Sequence, residues 1–276
     1  MLSGGASLGA VEVGMLRGLT EAGIRPDMLL GTSVGALNAA YVAGHPGVDG
    51  VDGLAALWRS IRRDDVFPLR PITGLLGFLG RRNHLVPAEP LRRLITSNLT
   101  FERLEDSPVP LHVIATEIVS GDDVRLSSGP AATAILASAA IPGVFPPVAI
   151  DGVTYIDGGV TDNTPIGDAV QLGADVIYVL PTGHACSLRG APRGALGVAL
   201  QAITVLIGRQ LIVDIERYTN VVDLRVVPPL CPLDVLPTDF SRSDELIDRS
   251  TASTRDWLSR GEPNEGQRHL LMGHSH

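Results

Sequence analysis

Ser33 stands in Gly31-Thr32-Ser33-Val34-Gly35, the Gly-x-Ser-x-Gly spacing of a nucleophile on a sharp strand-to-helix turn. Flanking glycines clear the space a projecting hydroxyl needs. The helix that follows directs positive potential toward a developing oxyanion. The same pentapeptide also fits a plain tight turn with a bystander serine. A second feature is Gly4-Gly5-Ala6-Ser7-Leu8-Gly9. Consecutive glycines before a helix expose backbone N–H groups that can hold a phosphate or an oxyanion. Ala6 breaks the Gly-x-Gly-x-x-Gly dinucleotide pattern, and a chain without lysine has no phosphate-loop lysine. Both failures disfavour nucleotide binding and turn the loop toward an oxyanion hole, with a structural turn as the other reading.

A base is needed to take the serine proton. Tyr155-Ile156-Asp157-Gly158-Gly159 sets a carboxylate at the end of an apolar run. Burial raises a carboxylate's pKa and makes it a usable base. Asp-Gly is also a common turn pair, and Asp151 and Asp162 compete for the role. The order Ser33, Asp157, His184 matches the chain order of an α/β-hydrolase triad, so His184 is a second candidate base. His45 and His112 read as surface or packing residues.

These residues need elements to position them. Leu8, Val11, Met15, Leu19 and Ala22 recur at helical spacing, and Gly23 closes that helix. Met28–Leu30 reads as a strand running into the serine turn, and Ala36–Ala40 as the helix leaving it. Further helices are expected over 54–62, 90–98, 131–140, 166–172, 194–218 and 244–258. Thr164 reads as the N-cap of the helix at 166, with Pro165 in its first position. Strands are expected over 111–118, 175–180 and 221–227. Val148–Ile150 and Val153–Ile156 flank Asp151-Gly152 as a hairpin. Alternating strands and helices predict an α/β fold with a mainly parallel central sheet covered by helices on both faces.

The 276 residues are 45% hydrophobic and 19% charged, which excludes a disordered chain. Twenty-two basic residues, all arginine, stand against 30 acidic ones, a formal charge of −8. That balance argues against general nucleic-acid binding. Two cysteines, Cys186 and Cys231, are too few and too far apart for a zinc site and read as thiols. The chain opens on the glycine loop with no signal-peptide pattern. The uncharged stretch 126–150 holds four prolines, and 194–208 is only 15 residues long, so neither reads as a membrane span.

Four blocks together resemble the bacterial patatin-like phospholipases. They are Leu2–Ala10, Gly31–Asn38, Ala137–Pro147, and Asp157-Gly158-Gly159 leading to Asn163-Thr164-Pro165. They occur in the family's order within residues 1–182. The resemblance implies a lipid acyl hydrolase with a Ser–Asp dyad in place of a triad. Ser33 matches the nucleophile and Asp157 the base. The Gly4–Gly9 loop matches the oxyanion hole, with the amides of Gly4, Gly5 and Ala6 as donors and Gly9, Gly31, Gly35, Gly158 and Gly159 as flanking glycines. Hydrolysis would pass through an acyl-enzyme, with no metal and no cofactor. Two positions depart from the pattern. Leu8 stands where the family usually has Arg or Lys, and only Met1-Leu2 stand where a strand usually precedes the loop.

The expected partner is a lipid or acyl ester substrate, with no nucleic acid. Residues 72–82, apolar and ending in Arg81-Arg82, read either as a lid making peripheral membrane contact or as a loop packed on the core. The expected location is cytoplasmic. A carboxylesterase or thioesterase acting on soluble acyl esters is the alternative enzyme reading, and a catalytically weakened lipid-binding module is the non-enzyme one. Residues 1–260 read as a single domain and 261–276 as a polar, disordered tail.

Overall fold

The computed structural model describes residues 1–68, 83–183 and 195–261, with Asn264 and Gln267; the side chains of 195–197, 199 and 200 are outside that description. The expectations for 72–82, His184, Cys186 and most of the tail lie outside the described residues.

The organising strand is β2 (Leu111–Glu117), whose apolar run is buried almost throughout. On one edge it pairs antiparallel with β3 (Asp123–Leu126), from Val113↔Leu126 to Thr116↔Asp123. Two strands share its other edge. β1 (Leu29–Thr32) runs parallel along the first half and ends with Thr32 opposite Ile114. β5 (Val153–Asp157) runs antiparallel along the second half and ends with Asp157 opposite Ala115. The two strands therefore run head-on toward each other, and their final residues face adjacent positions of β2. β4 (Val148–Ile150) pairs with β5 through the expected hairpin, with Asp151 and Gly152 both at positive φ in its turn.

Met1–Ser3 fill the strand position on the far side of β1. The Leu2 amide donates to Leu30 O at 2.9 Å, and the Thr32 amide to Leu2 O at 3.2 Å. On the other side Leu180 N donates to Met1 O at 2.9 Å. Both pairings are parallel, and they link β1 to β6 (Val176–Val179), which pairs in parallel with β7 (Asp223–Val226). The sheet order is β7, β6, residues 1–3, β1, β2, all running one way, with β3 and β5 running against them. The resemblance expects a strand before the glycine loop; three residues hold that place, with Leu2 buried in the core.

Among the described residues the α-helices are α1 (Gly9–Glu21), α2 (Val34–Gly44), α3 (Val48–Ser60), α4 (Arg63–Val66), α5 (Glu89–Thr96), α6 (Ala131–Ser138), α7 (Ile166–Gln171), α8 (Ala195–Tyr218) and α9 (Ser243–Arg260). Most fall where periodicity predicts. α1 packs closely on α9 because Gly14 and Gly18 present no side chain to Ser250, Ile247 and Thr254. Thr164 is not an N-cap. Pro165 takes that place, and the Thr164 hydroxyl is 3.0 Å from Ser3 Oγ. β3 was not anticipated from sequence, because Asp-Val-Arg-Leu is short, charged and partly exposed, as edge strands are.

Candidate active site

Ser33 sits between β1 and α2 at φ 55°, ψ −123°, a conformation that L-residues avoid. Holding a non-glycine residue there costs on the order of 1–3 kcal/mol and aims the side chain out of the turn. The turn closes tightly for two reasons. A Cβ on Gly31 would lie 2.6 Å from Ala36 N, and one on Gly35 would lie 2.7 Å from Ser3 O. Gly35 is thus required because residues 1–3 pass directly against the first turn of α2. The Ser33 amide donates to Ser138 Oγ at 2.8 Å, which fixes the turn against α6.

The head-on ends of β1 and β5 bring Ser33 and Asp157 together. Ser33 Oγ donates to Asp157 Oδ2 at 2.7 Å, and both residues are buried. Asp157 Oδ1 accepts the Gly159 amide at 2.8 Å. Burial pushes the Asp157 carboxyl up to about 6, against the opposing pull of the Ser33 and Gly159 hydrogen bonds. Gly158 lies against Ile114 O, where a Cβ would clash, and so lets the chain turn away from β2. Of the competing carboxylates, Asp151 is in the exposed hairpin turn. Asp162 accepts the Thr164 amide at 3.0 Å and is pushed up to about 7 by burial. It does not bond Ser33. Asp123, Asp162 and Asp168 bring carboxylate oxygens within 4.8 Å of one another, an oxygen donor set of the kind hard cations take, and Arg125 already pairs with Asp168 at 2.5 Å.

The glycine loop arches over the serine, and a Cβ on Gly4 would lie 3.1 Å from Ser33 Cβ. Asn163 clamps the Gly4 residue from both ends. Its Oδ1 accepts the Gly4 amide at 3.1 Å, and its Nδ2 donates to Gly4 O at 3.3 Å. Thr182 Oγ1 donates to the same carbonyl at 2.8 Å. The Gly4 amide is therefore engaged by Asn163. The amides of Gly5 and Ala6 have no partner among the described residues. Ala6 holds φ 51°, in the left-handed region that L-residues other than Asn and Asp seldom adopt.

Behind the loop lies a buried polar chain. Trp58 Nε1 donates to Asn38 Oδ1 at 2.8 Å, and Asn38 Nδ2 donates to Glu12 Oε2 at 2.8 Å and to Gly9 O at 3.1 Å. Burial drives the Glu12 carboxyl well above the usual carboxylate range. This chain ties the start of α1 to α2 and α3. Ser138, Asn163 and Thr182 escaped the sequence reading as site residues, as did Glu12. Ser138 and Asn163 lie inside the blocks that carry the resemblance, which was the available signal.

A cavity of about 90 Å³ opens over Ser33 and Asp157. Gly4, Gly5 and Ala6 form one wall, Ile141 and Pro142 another, and Ile203, Thr204 and Ile207 of α8 a third. Leu8 also lines it. Where the family pattern has a cation, the side chain here is fully buried in the main core, a place where an unpaired charge would be costly.

A serine on a strained strand-to-helix turn, bonded to a buried aspartate beneath a glycine loop on a mixed sheet, defines an α/β protein of the patatin fold. The family model for patatin-like phospholipase matches residues 1–170, and the chain belongs to that family. It is 29% identical to lysophospholipase nte1 of Neurospora crassa over 217 residues, covering 76% of this chain and 13% of the fungal protein. It is 28% identical over 194 residues to an NTE family protein of Mycobacterium bovis, covering 70% of this chain and 49% of that one. The chain thus spans well under two thirds of these relatives' length. The crystal structure of VipD from Legionella pneumophila aligns over 92% of this chain and 66% of that one, at 17% identity and a TM-score of 0.46. Among the described residues, no helix is long and apolar enough to cross a membrane.

Proposed function

We propose that the protein is a lipid acyl ester hydrolase that works through a Ser33–Asp157 dyad and an acyl-enzyme. The observation that carries this reading is the 2.7 Å bond from Ser33 Oγ to a buried carboxylate pushed up to about 6. Such a carboxylate is ionised at neutral pH yet basic enough to take a proton in the transition state.

Asp157 Oδ2 accepts the Ser33 proton as Oγ attacks the acyl carbonyl. The Gly5 and Ala6 amides receive the tetrahedral oxyanion, while Gly4, held by Asn163, fixes the loop that carries them. Loss of one such donor costs on the order of 3 kcal/mol in the barrier. Collapse breaks the ester C–O bond, and the proton on Asp157 passes to the departing alkoxide. A water then gives its proton to Asp157 and attacks the acyl carbon. The second collapse releases the fatty acid and returns the proton to Ser33. The apolar walls from Ile141, Ile203 and Ile207 suit an acyl chain. The lysophospholipase name carried by the fungal relative supports a lipid ester as substrate.

The test is mass-spectrometric location of a fluorophosphonate adduct. One adduct on Ser33, absent from folded Ser33→Ala, is expected. A folded wild-type sample that takes no adduct refutes the reading.

A further inference from the structure

α8 has two unlike faces. Its inner face is accounted for: Leu211 and Ile215 are buried against β6 and β7, and Ile203 and Ile207 line the cavity over Ser33. Its outer face is apolar and open to solvent. Val198 is 54% exposed, Val205 43%, Leu206 66% and Val213 54%, with Ala202 exposed between them. Their spacing keeps them on one stripe about 100° wide. We propose that this stripe is a docking surface for a phospholipid bilayer, which seats the cavity at the lipid surface from which its ester enters. The proposal rests on the hydrolase reading for what the cavity takes.

Three observations favour lipid as the occupant. The first is continuity with the cavity. Val160, 51% exposed, lines the cavity, and α8 packs on the turn that carries it. Leu236, also exposed, adjoins Pro237 of the cavity wall. The second is charge. The chain carries −8 overall, yet from Ala195 to Val213 its one charged residue is the exposed Arg209. The acidic residues of α8 begin at Asp214. An apolar stripe with one long-stemmed cation suits acyl chains below phosphate headgroups. The third is area. The stripe exposes on the order of 300–400 Å², the size of a functional patch on a monomer and well short of the roughly 800 Å² per partner of a stable dimer.

The test is co-sedimentation of the full chain with phosphatidylcholine/phosphatidylglycerol vesicles. Wild type is expected in the pellet. Leu206→Asp and Val213→Asp are each expected to lower the partition constant about tenfold or more. Leu206→Ser and Val213→Ser, also at exposed positions, serve if an aspartate variant fails to fold, with a smaller drop in the same direction. Wild type that stays in the supernatant, or variants that sediment as wild type does, overturns the proposal. A wild-type dimer by light scattering that the same substitutions turn into a monomer assigns the stripe to a second copy and also overturns it. Binding is read without turnover, so the two readings fail separately. A chain that sediments but takes no adduct at Ser33 refutes the hydrolase; a chain that takes the adduct but does not sediment refutes the docking surface.

Discussion

Ser33 and Asp157 meet because β1 and β5 approach each other along a single edge of β2. Thr32 ends one strand opposite Ile114, and Asp157 ends the other opposite Ala115. The 2.7 Å bond from Ser33 to Asp157 is thus set by sheet register, across a sequence separation of 124 residues. A slip of one residue in either strand would turn the end residue to the other face and break the pair.

The first prediction concerns pH. The Asp157 carboxyl is pushed up to about 6 by burial, and as the proposed base it must be ionised to act. On a soluble short-chain ester, kcat/KM should rise about tenfold per pH unit below about 6 and level off above it. His184→Gln should keep both the inflection and the plateau. Loss of the inflection in that variant would give the base role to the histidine.

Stability should run the opposite way. The folded carboxyl binds its proton more tightly than the unfolded one, whose value is 3.8. Its stabilising contribution is therefore complete below about pH 4 and is lost as pH rises through about 6. At pH 8 the ionised, buried group costs the fold on the order of 2–3 kcal/mol. Asp157→Asn removes the charge; its Oδ1 can still accept the Gly159 amide, and its Nδ2 then donates to Ser33 Oγ, whose hydroxyl turns to accept. It should raise stability by about 1–3 kcal/mol at pH 8, with the gain gone near pH 4, while hydrolysis falls by at least about a thousandfold. Urea unfolding at the two pH values checks it; a destabilised Asn variant at pH 8 would contradict the burial argument.

Asn163 offers a third. It accepts the Gly4 amide and donates to the Gly4 carbonyl, both buried. Asn163→Ala leaves that amide unpartnered, at a cost of about 1–3 kcal/mol. The loop would then no longer be held in register over Ser33. Fluorophosphonate labelling of Ser33 should slow about tenfold or more in folded variant protein. An unchanged labelling rate would show that the loop holds its shape without the clamp.

Much of this site is legible in the sequence because local chemistry specifies it. Gly31-Thr32-Ser33-Val34-Gly35 between an apolar run and a helix pattern encodes the turn, and Asp157-Gly158-Gly159 encodes a strand end that must bend. The long-range partners are a different matter. Nothing local in Asn163 or Thr182 says that each will reach Gly4 across about 160 to 180 residues of chain. The parallel strand at residues 1–3 is too short for any periodicity to register, and only its backbone pairing on both sides reveals it. β3 is hidden for the opposite reason, because an edge strand does not need the apolar alternation that marks a half-buried one.

The last prediction separates two reasons for glycine. Gly35 does not need an unusual backbone; it needs empty space, since a Cβ there would lie 2.6 Å from the Leu2 carbonyl carbon and 2.7 Å from Ser3 O. Those atoms belong to a strand bonded on both sides and cannot give way singly. Gly173 is the reverse, with φ 82° and nothing within 4 Å of a built Cβ. Gly173→Ala should cost only the backbone strain, about 1 kcal/mol, and leave Ser33 labelling at the wild-type rate. Gly35→Ala should cost about 3 kcal/mol or more. Because Leu2 and Ser3 lead directly into Gly4, whatever folded protein remains should label slowly at Ser33. Urea unfolding and the labelling rate, read on both variants, check the pair. Equal costs at the two positions would mean that residues 1–3 yield to the added methyl and do not hold the glycine loop in place.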